Sequence, residues 1–185
     1  MASRNPPAPR DAIQLLEQDH REVQDLFSEF KKFQEAEQEG DDELKQEIID
    51  TVCTALKVHT KIEEEIFYPA AREALGDDEE DLMNEAEVEH SGAKDLIAQI
   101  EDGSASDPMT CARFLVLSEQ IDHHVKEEQD EMFPKLRETD MDLEGVGKQL
   151  KARKDELMAG YEADTPETNS GVKKSTLWDR LSARS

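Results

Sequence analysis

The sequence predicts an all-α protein, an up-down-up-down four-helix bundle with an additional short C-terminal helix and a flexible tail. Apolar residues recur at steps of three and four along four long segments, which is the period of an amphipathic helix. Short turns rich in glycine or proline separate these segments, so consecutive helices are expected to be antiparallel neighbours. The composition, with 37% charged and 5% aromatic residues, is typical of a helical bundle and lean for a sheet protein.

The first two helices are expected on either side of a Gly-Asp-Asp turn at residues 40–42. The first helix runs from about residue 11 to residue 38, and its apolar seam contains Ile13, Leu16, Val23, Phe27 and Phe30. His20 fills the gap in that seam. Pro69 is expected to end or kink the second helix, because the prolyl ring clashes with the preceding turn. The inner face of the second helix is formed by Leu44, Ile48, Val52, Ala55, His59, Glu63 and Ile66.

The third and fourth helices are expected on either side of a Gly-Ser-Ala-Ser-Asp-Pro loop at residues 103–108. The inner face of the third helix contains Leu82, Ala86, His90, Ala93, Ile97 and Ile100. The fourth helix ends around Pro134, and its inner face contains Phe114, Leu117, Ile121, His124, Glu128 and Met132. A shorter helix, from about residue 143 to residue 161, is expected to pack on the bundle through Val146, Leu150 and Leu157.

These elements divide the chain into a flexible N-terminal lead (residues 1–10), one four-helix-bundle domain (residues 11–160) and a flexible, partly basic tail (residues 161–185). The end of the tail carries Lys173, Lys174, Arg180 and Arg184. This basic end fits docking on the acidic body or on a protein partner, and it equally fits a solvated tail.

The net charge of −24 argues against nucleic acid as a partner, because the phosphates of nucleic acid would be repelled. No segment approaches the roughly 20 apolar residues that a membrane-spanning helix needs, and the first residues lack the apolar core of a signal peptide. We therefore expect a cytoplasmic protein with no membrane partner. Cys53 and Cys111 are too few and too far apart for a disulfide framework and are expected to be buried.

Two helices repeat the pattern His-x-x-x-Glu, as His59 with Glu63 and His124 with Glu128. This spacing places an imidazole and a carboxylate on one face of a helix, one turn apart. In both helices a proline follows the glutamate by six residues. Carboxylates inside a bundle are costly unless they are paired or bound to metal, so the repeat predicts a metal site.

Two further histidines on apolar seams complete the candidate site. Counted from the short turns, the four histidines lie at about one level in an antiparallel bundle. The candidate metal ligands are His20, His59, Glu63, His90, His124 and Glu128. His123 points about 100° away from His124 around the helix and is expected outside the site. Glu64, Glu65 and Glu127 are expected on solvated faces.

The donor set decides which metals are plausible. Four imidazoles and two carboxylates are too many for one tetrahedral zinc ion and suit two octahedral ions bridged by the carboxylates. About two coordination positions then remain for a small ligand. Imidazole and carboxylate donors with open positions favour iron and leave manganese as an alternative. Without a cation, Glu63 and Glu128 would face each other, which should raise the pKa of at least one of the two carboxyls.

At these residues the sequence resembles the hemerythrin-like family of HHE cation-binding domains, in particular its bacterial cytosolic members, over about residues 11–160. The resemblance is carried by His59-Thr-Lys-Ile-Glu-Glu-Glu-Ile-Phe-Tyr-Pro69, His123-His-Val-Lys-Glu-Glu128, Asp19-His20 and Glu89-His90. It implies a non-haem di-iron centre with an oxo or hydroxo bridge between its two iron ions. In that centre the four histidines would be terminal nitrogen ligands, and Glu63 and Glu128 would bridge.

The third helix departs from the pattern of oxygen-carrying hemerythrins, which have two histidines four residues apart on it. Ala86 and Lys94 occupy the positions four residues either side of His90. The centre is therefore one nitrogen short, which puts simple reversible O₂ carriage in doubt. Glu87 is a candidate additional ligand, and an exposed acid is the alternative interpretation of that residue.

The predicted function is that of a non-haem di-iron protein that binds O₂ or a related small ligand, such as NO or peroxide, for storage, delivery or sensing. The alternative is a di-iron enzyme that acts on peroxide or NO. The same ligands serve both functions, so the sequence assigns no catalytic residue and leaves open whether the protein is an enzyme. Iron storage is disfavoured, since ferritin-like sites use Glu-x-x-His on paired helices.

Overall fold

A computed structural model describes residues 11–36, 42–76, 79–164 and 177; for residues 162–164 it describes the backbone alone. Throughout the described part of the chain, the regular structure is helical. The α-helices are Ala12–Ala36 (α1), Asp42–Ile62 (α2), Tyr68–Leu75 (α3), Glu80–Glu101 (α4), Pro108–Glu127 (α5), Phe133–Arg137 (α6) and Leu143–Asp164 (α7). Single π-helical turns, Glu63–Phe67 and Glu128–Met132, join α2 to α3 and α5 to α6.

The four long helices α1, α2, α4 and α5 form the predicted bundle. Neighbouring helices pack in the order α1, α2, α4, α5, with α5 returning to α1. At the start of α5, the side chain of Asp107 accepts a hydrogen bond from the backbone of Met109, and Pro108 occupies the first helical position. At the end of α3, Gly76 adopts a φ of 74°, which favours glycine and stops the helix.

The chain stays helical through both prolines that were expected to end or kink a helix. Pro69 lies in the first turn of α3 and Pro134 lies in the first turn of α6. Each follows a π-helical turn, in which the backbone N–H bonds to the carbonyl five residues earlier, as Tyr68 does to Glu63. The widened turn accommodates a residue that has no N–H to donate.

The core consists of two apolar clusters at opposite ends of the bundle. One contains Phe27, Phe30, Ile48, Val52, Ile97, Phe114 and Leu117, and the other contains Ile13, Leu16, Ile62, Phe67, Met83, Phe133 and Leu136. Between them, each of the four bundle helices α1, α2, α4 and α5 contributes a buried histidine to a polar layer. Burying apolar side chains on both sides holds this layer out of contact with bulk water.

The additional helix α7 packs on α1 and α2, as expected from its apolar residues. It has 22 residues, as many as α4, so it is longer than the sequence pattern indicated. Leu150 is fully buried, and Gly147 lies against the start of α1. A Cβ atom at Gly147 would lie 2.7 Å from the backbone nitrogen of Ala12, so glycine permits this close approach.

The division into lead, domain and tail remains a prediction, because residues 1–10 and most of the tail lie outside the described residues. Leu177 is the exception. Its side chain is 1% exposed and belongs to the apolar cluster that contains Phe30 and Phe114. Among the described residues, no helix is both long and apolar enough to cross a membrane.

Candidate metal centre

Four buried histidines, one from each of the four bundle helices, meet in the polar layer of the bundle. The Nε2 atoms of His20 and His59 are 3.0 Å apart, and those of His90 and His124 are 3.2 Å apart. All four side chains are at most 5% exposed. Because short turns join antiparallel helices, residues at similar distances from a turn lie at one height, and the structure brings the four predicted histidines together.

Two buried carboxylates lie between the histidine pairs. The Oε1 atom of Glu63 is 3.2 Å from the Nε2 atom of His59, and its Oε2 atom is 3.4 Å from the Nε2 atom of His90. Glu128 faces both pairs in the same way, with its Oε2 atom 3.2 Å and 3.7 Å from the Nε2 atoms of the remaining two histidines. Each carboxylate therefore faces one histidine of each pair.

Several buried polar atoms of this layer have no hydrogen-bond partner among the described residues. They are both carboxylate oxygens of Glu63, the Oε2 atom of Glu128 and the Nδ1 atom of His59. Buried polar groups in native proteins are normally satisfied, and carboxylate oxygens facing imidazole nitrogens are the donor atoms that transition metals prefer. The residues present therefore fit cations. Ligand atoms of His20, His59, Glu63 and Glu128 form one compact group, and those of Glu63, His90 and His124 form a second.

Both buried carboxylates are the first residues of π-helical turns. A π-helical turn returns to the same face after about five residues, so the residue five positions after each glutamate also points toward the layer. After Glu63 this residue is Tyr68, and after Glu128 it is Phe133. The ring of Phe133 stacks against His20 with 6.1 Å between ring centroids and 3° between ring planes.

The Tyr68 hydroxyl is a polar group of this site that the sequence interpretation did not select. It donates a hydrogen bond to the Oε1 atom of Glu128 at 3.1 Å and lies 3.2 Å from the Nε2 atom of His90. Burial, together with the negative charges of Glu128 and Glu63, raises the pKa of Tyr68 well above its usual value, so the group is a neutral phenol. The signal in the sequence was its position five residues after a buried glutamate.

The outer nitrogens of two histidines face carboxylates on neighbouring helices. The Nδ1 atom of His124 is 2.8 Å from Glu89, and the Nδ1 atom of His90 is 3.2 Å from Glu64. Lys94 in turn binds Glu64 at 2.5 Å. Glu64 is 33% exposed, so it lies partly on a solvated face as expected, but its carboxylate also contacts His90. Carboxylates in this position fix the orientation of a metal-binding imidazole and increase its basicity.

The outer nitrogens of the other two histidines face polar side chains at longer distances. The Nδ1 atom of His59 is 3.6 Å from Asp19, which is paired with Lys154 from α7. The side-chain amide of Gln129 lies 3.4 Å from the Nδ1 atom of His20. All four imidazoles thus present Nε2 to the centre and Nδ1 outward to a polar side chain, which is the arrangement of metal-binding histidines.

The charges in the layer shift the pKa values of its members. Burial opposes charge on His59, but Glu63 and Asp19 outweigh it and raise the pKa of His59 to about 10. Burial likewise opposes charge on His124, but Glu128 and Glu89 raise its pKa to about 9. Burial raises the pKa of Glu63, but the imidazoles of His59 and His90 outweigh this effect and hold it well below its usual value. The rise expected for at least one of the two carboxyls is therefore not seen at Glu63, because imidazoles lie between the carboxylates.

Comparison with known proteins identifies the family. The family model of the hemerythrin HHE cation-binding domain matches residues 11–136. The chain belongs to the hemerythrin HHE family. This membership and the two groups of histidines and glutamates indicate that the protein binds metal.

Two proteins similar to this HHE domain extend the comparison. A crystal structure of an HHE cation-binding domain-containing protein from Mycobacterium kansasii superposes with a TM-score of 0.66 and 22% identity, covering 90% of this chain and 96% of that one. This likeness shows the shared fold. A Nostoc sp. PCC 7120 protein described as a DNA nickase is 30% identical over 124 residues, which are 66% of this chain. The HHE chain spans 32% of the length of that relative.

Two residues considered from the sequence lie outside the buried centre of the HHE domain. Glu87 is exposed and forms an ion pair of 2.8 Å with Arg72, so the structure does not bring this candidate ligand to the centre. The side chain of His123 is 62% exposed and its Nε2 atom is 3.1 Å from Glu127. Both lie on the outer surface of the bundle.

Proposed function

We propose that the protein holds two iron ions in the buried layer and uses them to bind O₂, NO or peroxide for storage, delivery or sensing. The observation that carries the proposal is the position of the two carboxylates, each facing one histidine of each pair. Such carboxylates can bridge two ions that are held by separate pairs of histidines. The proposed ligands are His20, His59, Glu63, His90, His124 and Glu128.

Iron is proposed because imidazole and carboxylate donors with open positions suit it. When bound, iron supplies exchangeable coordination positions and one-electron redox chemistry. The protein supplies the rest. Glu89 and Glu64 orient two of the imidazoles, and two apolar clusters keep bulk water away from the layer.

A small cavity beside the histidines supports the proposal that the ligand is about the size of a diatomic molecule. Its volume is about 10 Å³, and its lining includes all four ligand histidines together with Val23, Leu56, Ile121 and Val125. A volume of this size holds about one water molecule. The apolar lining favours a small, weakly polar ligand over water. The same size argues against storage of an iron mineral.

An enzyme that reduces peroxide or NO is the second candidate, and Tyr68 favours it. A neutral hydroxyl can donate a hydrogen bond to a bound peroxide or NO, and the Tyr68 hydroxyl lies at the centre, where it is hydrogen-bonded to Glu128. The nickase activity named for the Nostoc protein is not proposed for this chain, because the net charge of −24 repels nucleic acid. Buried free Cys53 and Cys111 are consistent with the reducing cytoplasm, which we propose as the compartment.

Metal analysis with absorption spectra tests the proposal. Protein purified from its native host should contain about two iron ions per chain. A visible band that forms in O₂ and disappears under vacuum supports binding, whereas irreversible oxidation with peroxide turnover supports the enzyme. One zinc ion and no iron would contradict both.

A matched pair of variants locates the centre. Glu63→Gln removes a carboxylate that is 0% exposed and should abolish the binding of at least one iron ion. Glu65→Gln removes a neighbouring carboxylate that pairs with Arg153 on the surface, and it should retain both ions. Equal iron content in the two variants would remove Glu63 from the proposed centre.

A further inference from the structure

Glu89, His123 and Glu127 form another group of potential metal ligands on the outer face of α4 and α5. The Nε2 atom of His123 is 3.1 Å from the Oε1 atom of Glu127 and 3.6 Å from the Oε1 atom of Glu89. The three ligand atoms all lie within 4.8 Å of one another. For metal–ligand distances of about 2.1 Å, neighbouring ligand atoms around one ion are about 3.0–3.4 Å apart. Two of the three separations, 3.1 Å and 3.6 Å, are in or close to this range, so small rotations of these side chains would bring all three ligand atoms to a single ion.

The charge of this group also favours a cation. The carboxylates that lie beside two of the buried histidines form ion pairs with lysines. In contrast, no lysine or arginine among the described residues forms an ion pair with Glu89 or Glu127. A divalent ion would neutralise these repelling carboxylates, whereas the imidazole carries at most one positive charge.

A groove next to the group gives solvent access. Its volume is about 290 Å³, and its lining includes Glu89, His123 and Gly92, with His90 and His124 of the buried centre on the same wall. The groove is open beside Gly92, since a Cβ atom added there would meet nothing within 4 Å. Three protein ligands leave coordination positions to be filled, and the groove has room for the water molecules that would fill them.

We propose that Glu89, His123 and Glu127 form a third, solvent-accessible site for a divalent transition-metal ion such as Zn²⁺ or Fe²⁺. The imidazole selects such ions over Mg²⁺ and Ca²⁺, which prefer oxygen ligands alone. Glu89 belongs to both sites, because its other oxygen accepts a hydrogen bond from the Nδ1 atom of His124 at 2.8 Å. An ion in this site is therefore one carboxylate away from the buried centre, at its solvent side.

Equilibrium dialysis against Zn²⁺ tests this site in the full-length protein with its iron in place. Excess Mg²⁺ is added so that ordinary carboxylate sites on this acidic surface are occupied. Zinc and iron are both measured before and after dialysis. The wild type should bind one Zn²⁺ per chain without losing iron. His123→Ala and Glu127→Gln should each weaken this zinc binding roughly tenfold or more, since each removes one ligand.

Glu85→Gln is the matched control, because it removes the same charge one turn from Glu89 but no ligand. It should bind Zn²⁺ nearly as tightly as the wild type. Equal zinc binding by the wild type and His123→Ala, or none by the wild type, overturns the third site. If the proposed iron centre is wrong, the measured iron content will show it. The difference in zinc binding between the wild type and His123→Ala does not depend on that iron content.

Discussion

At the scale of residues, one hydroxyl group distinguishes the two halves of the buried layer. Tyr68 and Phe133 occupy equivalent positions, each five residues after a buried glutamate and directly before a proline. The Tyr68 hydroxyl contacts Glu128 and His90, whereas the Phe133 ring stacks on His20. The side of the centre near His90 therefore has a hydrogen-bond donor, and the side near His20 has an apolar ring. We expect the two proposed metal positions to differ in their affinity for small ligands.

Replacing Tyr68 with phenylalanine tests this asymmetry. The Tyr68→Phe variant loses a hydroxyl that lies against Glu128 and His90, so more space becomes available beside the centre. We expect the oxidised protein to bind azide several-fold more tightly, with a stability change of about 1 kcal/mol for one lost hydrogen bond. Spectrophotometric azide titration and urea unfolding measure the two effects. Tyr161→Phe on the surface of α7 is the control, and an unchanged azide affinity in Tyr68→Phe would contradict the prediction.

The structure also decides which position can supply the nitrogen missing from the third helix of the bundle. Ala86 is 4% exposed and packs in the apolar cluster next to the centre, whereas Lys94 is exposed and binds Glu64. Ala86→His should therefore weaken azide binding and slow autoxidation, because the new imidazole fills an open position. Introducing this larger side chain should cost about 1–3 kcal/mol of stability.

Lys94→His is the comparison variant and should not add a ligand, since its side chain lies on the outer side of Glu64. Azide titration, autoxidation rates and urea unfolding of both variants measure these effects. If Ala86→His leaves azide affinity and autoxidation unchanged, the centre is already complete without a further nitrogen.

At the scale of elements, α7 adds a fifth helix that serves the centre from outside the bundle. Its Lys154 pairs with Asp19, which faces His59, and its Arg153 pairs with Glu65 after α2. The helix can make these contacts because Gly147 lets it approach the start of α1. The position of α7 therefore bears on the orientation of one of the proposed ligands.

Two glycines of α7 provide a matched test of this packing. In Gly147→Ala, the new methyl group would lie 2.7 Å from a backbone atom of α1, so α7 must shift and we expect a loss of about 1–3 kcal/mol. In Gly160→Ala, the methyl group meets nothing within 4 Å, and the higher helix propensity of alanine should stabilise the protein by about 0.5–1 kcal/mol. Urea unfolding measures both, and equal midpoints would contradict the close approach.

At the scale of the whole molecule, the fold holds a charged layer between two apolar clusters. In the metal-free protein, protonated imidazoles take the place of cations, since the pKa values of His59 and His124 are raised to about 10 and about 9. Cations and protons therefore compete for the same nitrogens. Metal content and pH should consequently act together on stability.

The metal-free protein should lose stability as pH rises from about 6.5, the histidine pKa in an unfolded chain, to about 10. A histidine whose pKa is raised in the folded state stabilises the folded protein at pH values below that window. This stabilisation is lost as the pH rises and the folded protein releases the proton. The expected loss is on the order of a few kcal/mol. The metal-loaded protein should not show it, because its imidazoles are already deprotonated. Urea midpoints at pH 7 and pH 9.5, with and without a chelator, measure the difference, and parallel pH profiles would contradict it.

The sequence by itself determined the bundle and the meeting of its six candidate ligands. The helical period located the four long helices, and the repeated His-x-x-x-Glu pattern marked the two that carry buried carboxylates. Short turns between antiparallel helices then fixed the relative height of each histidine. These properties are local, because each depends on spacing within one helix or on the length of one connection.

Only the tertiary structure decided the surroundings of those ligands. Glu64 supports His90 while Glu87 pairs with Arg72, although both lie near candidate ligands in the sequence. Tyr68 enters the centre because a π-helical turn rotates it inward, and the period of an α-helix would have directed it elsewhere. The direction of a side chain around its helix and the neighbour that it meets depend on packing between distant segments. A count of residues along the chain does not contain that information.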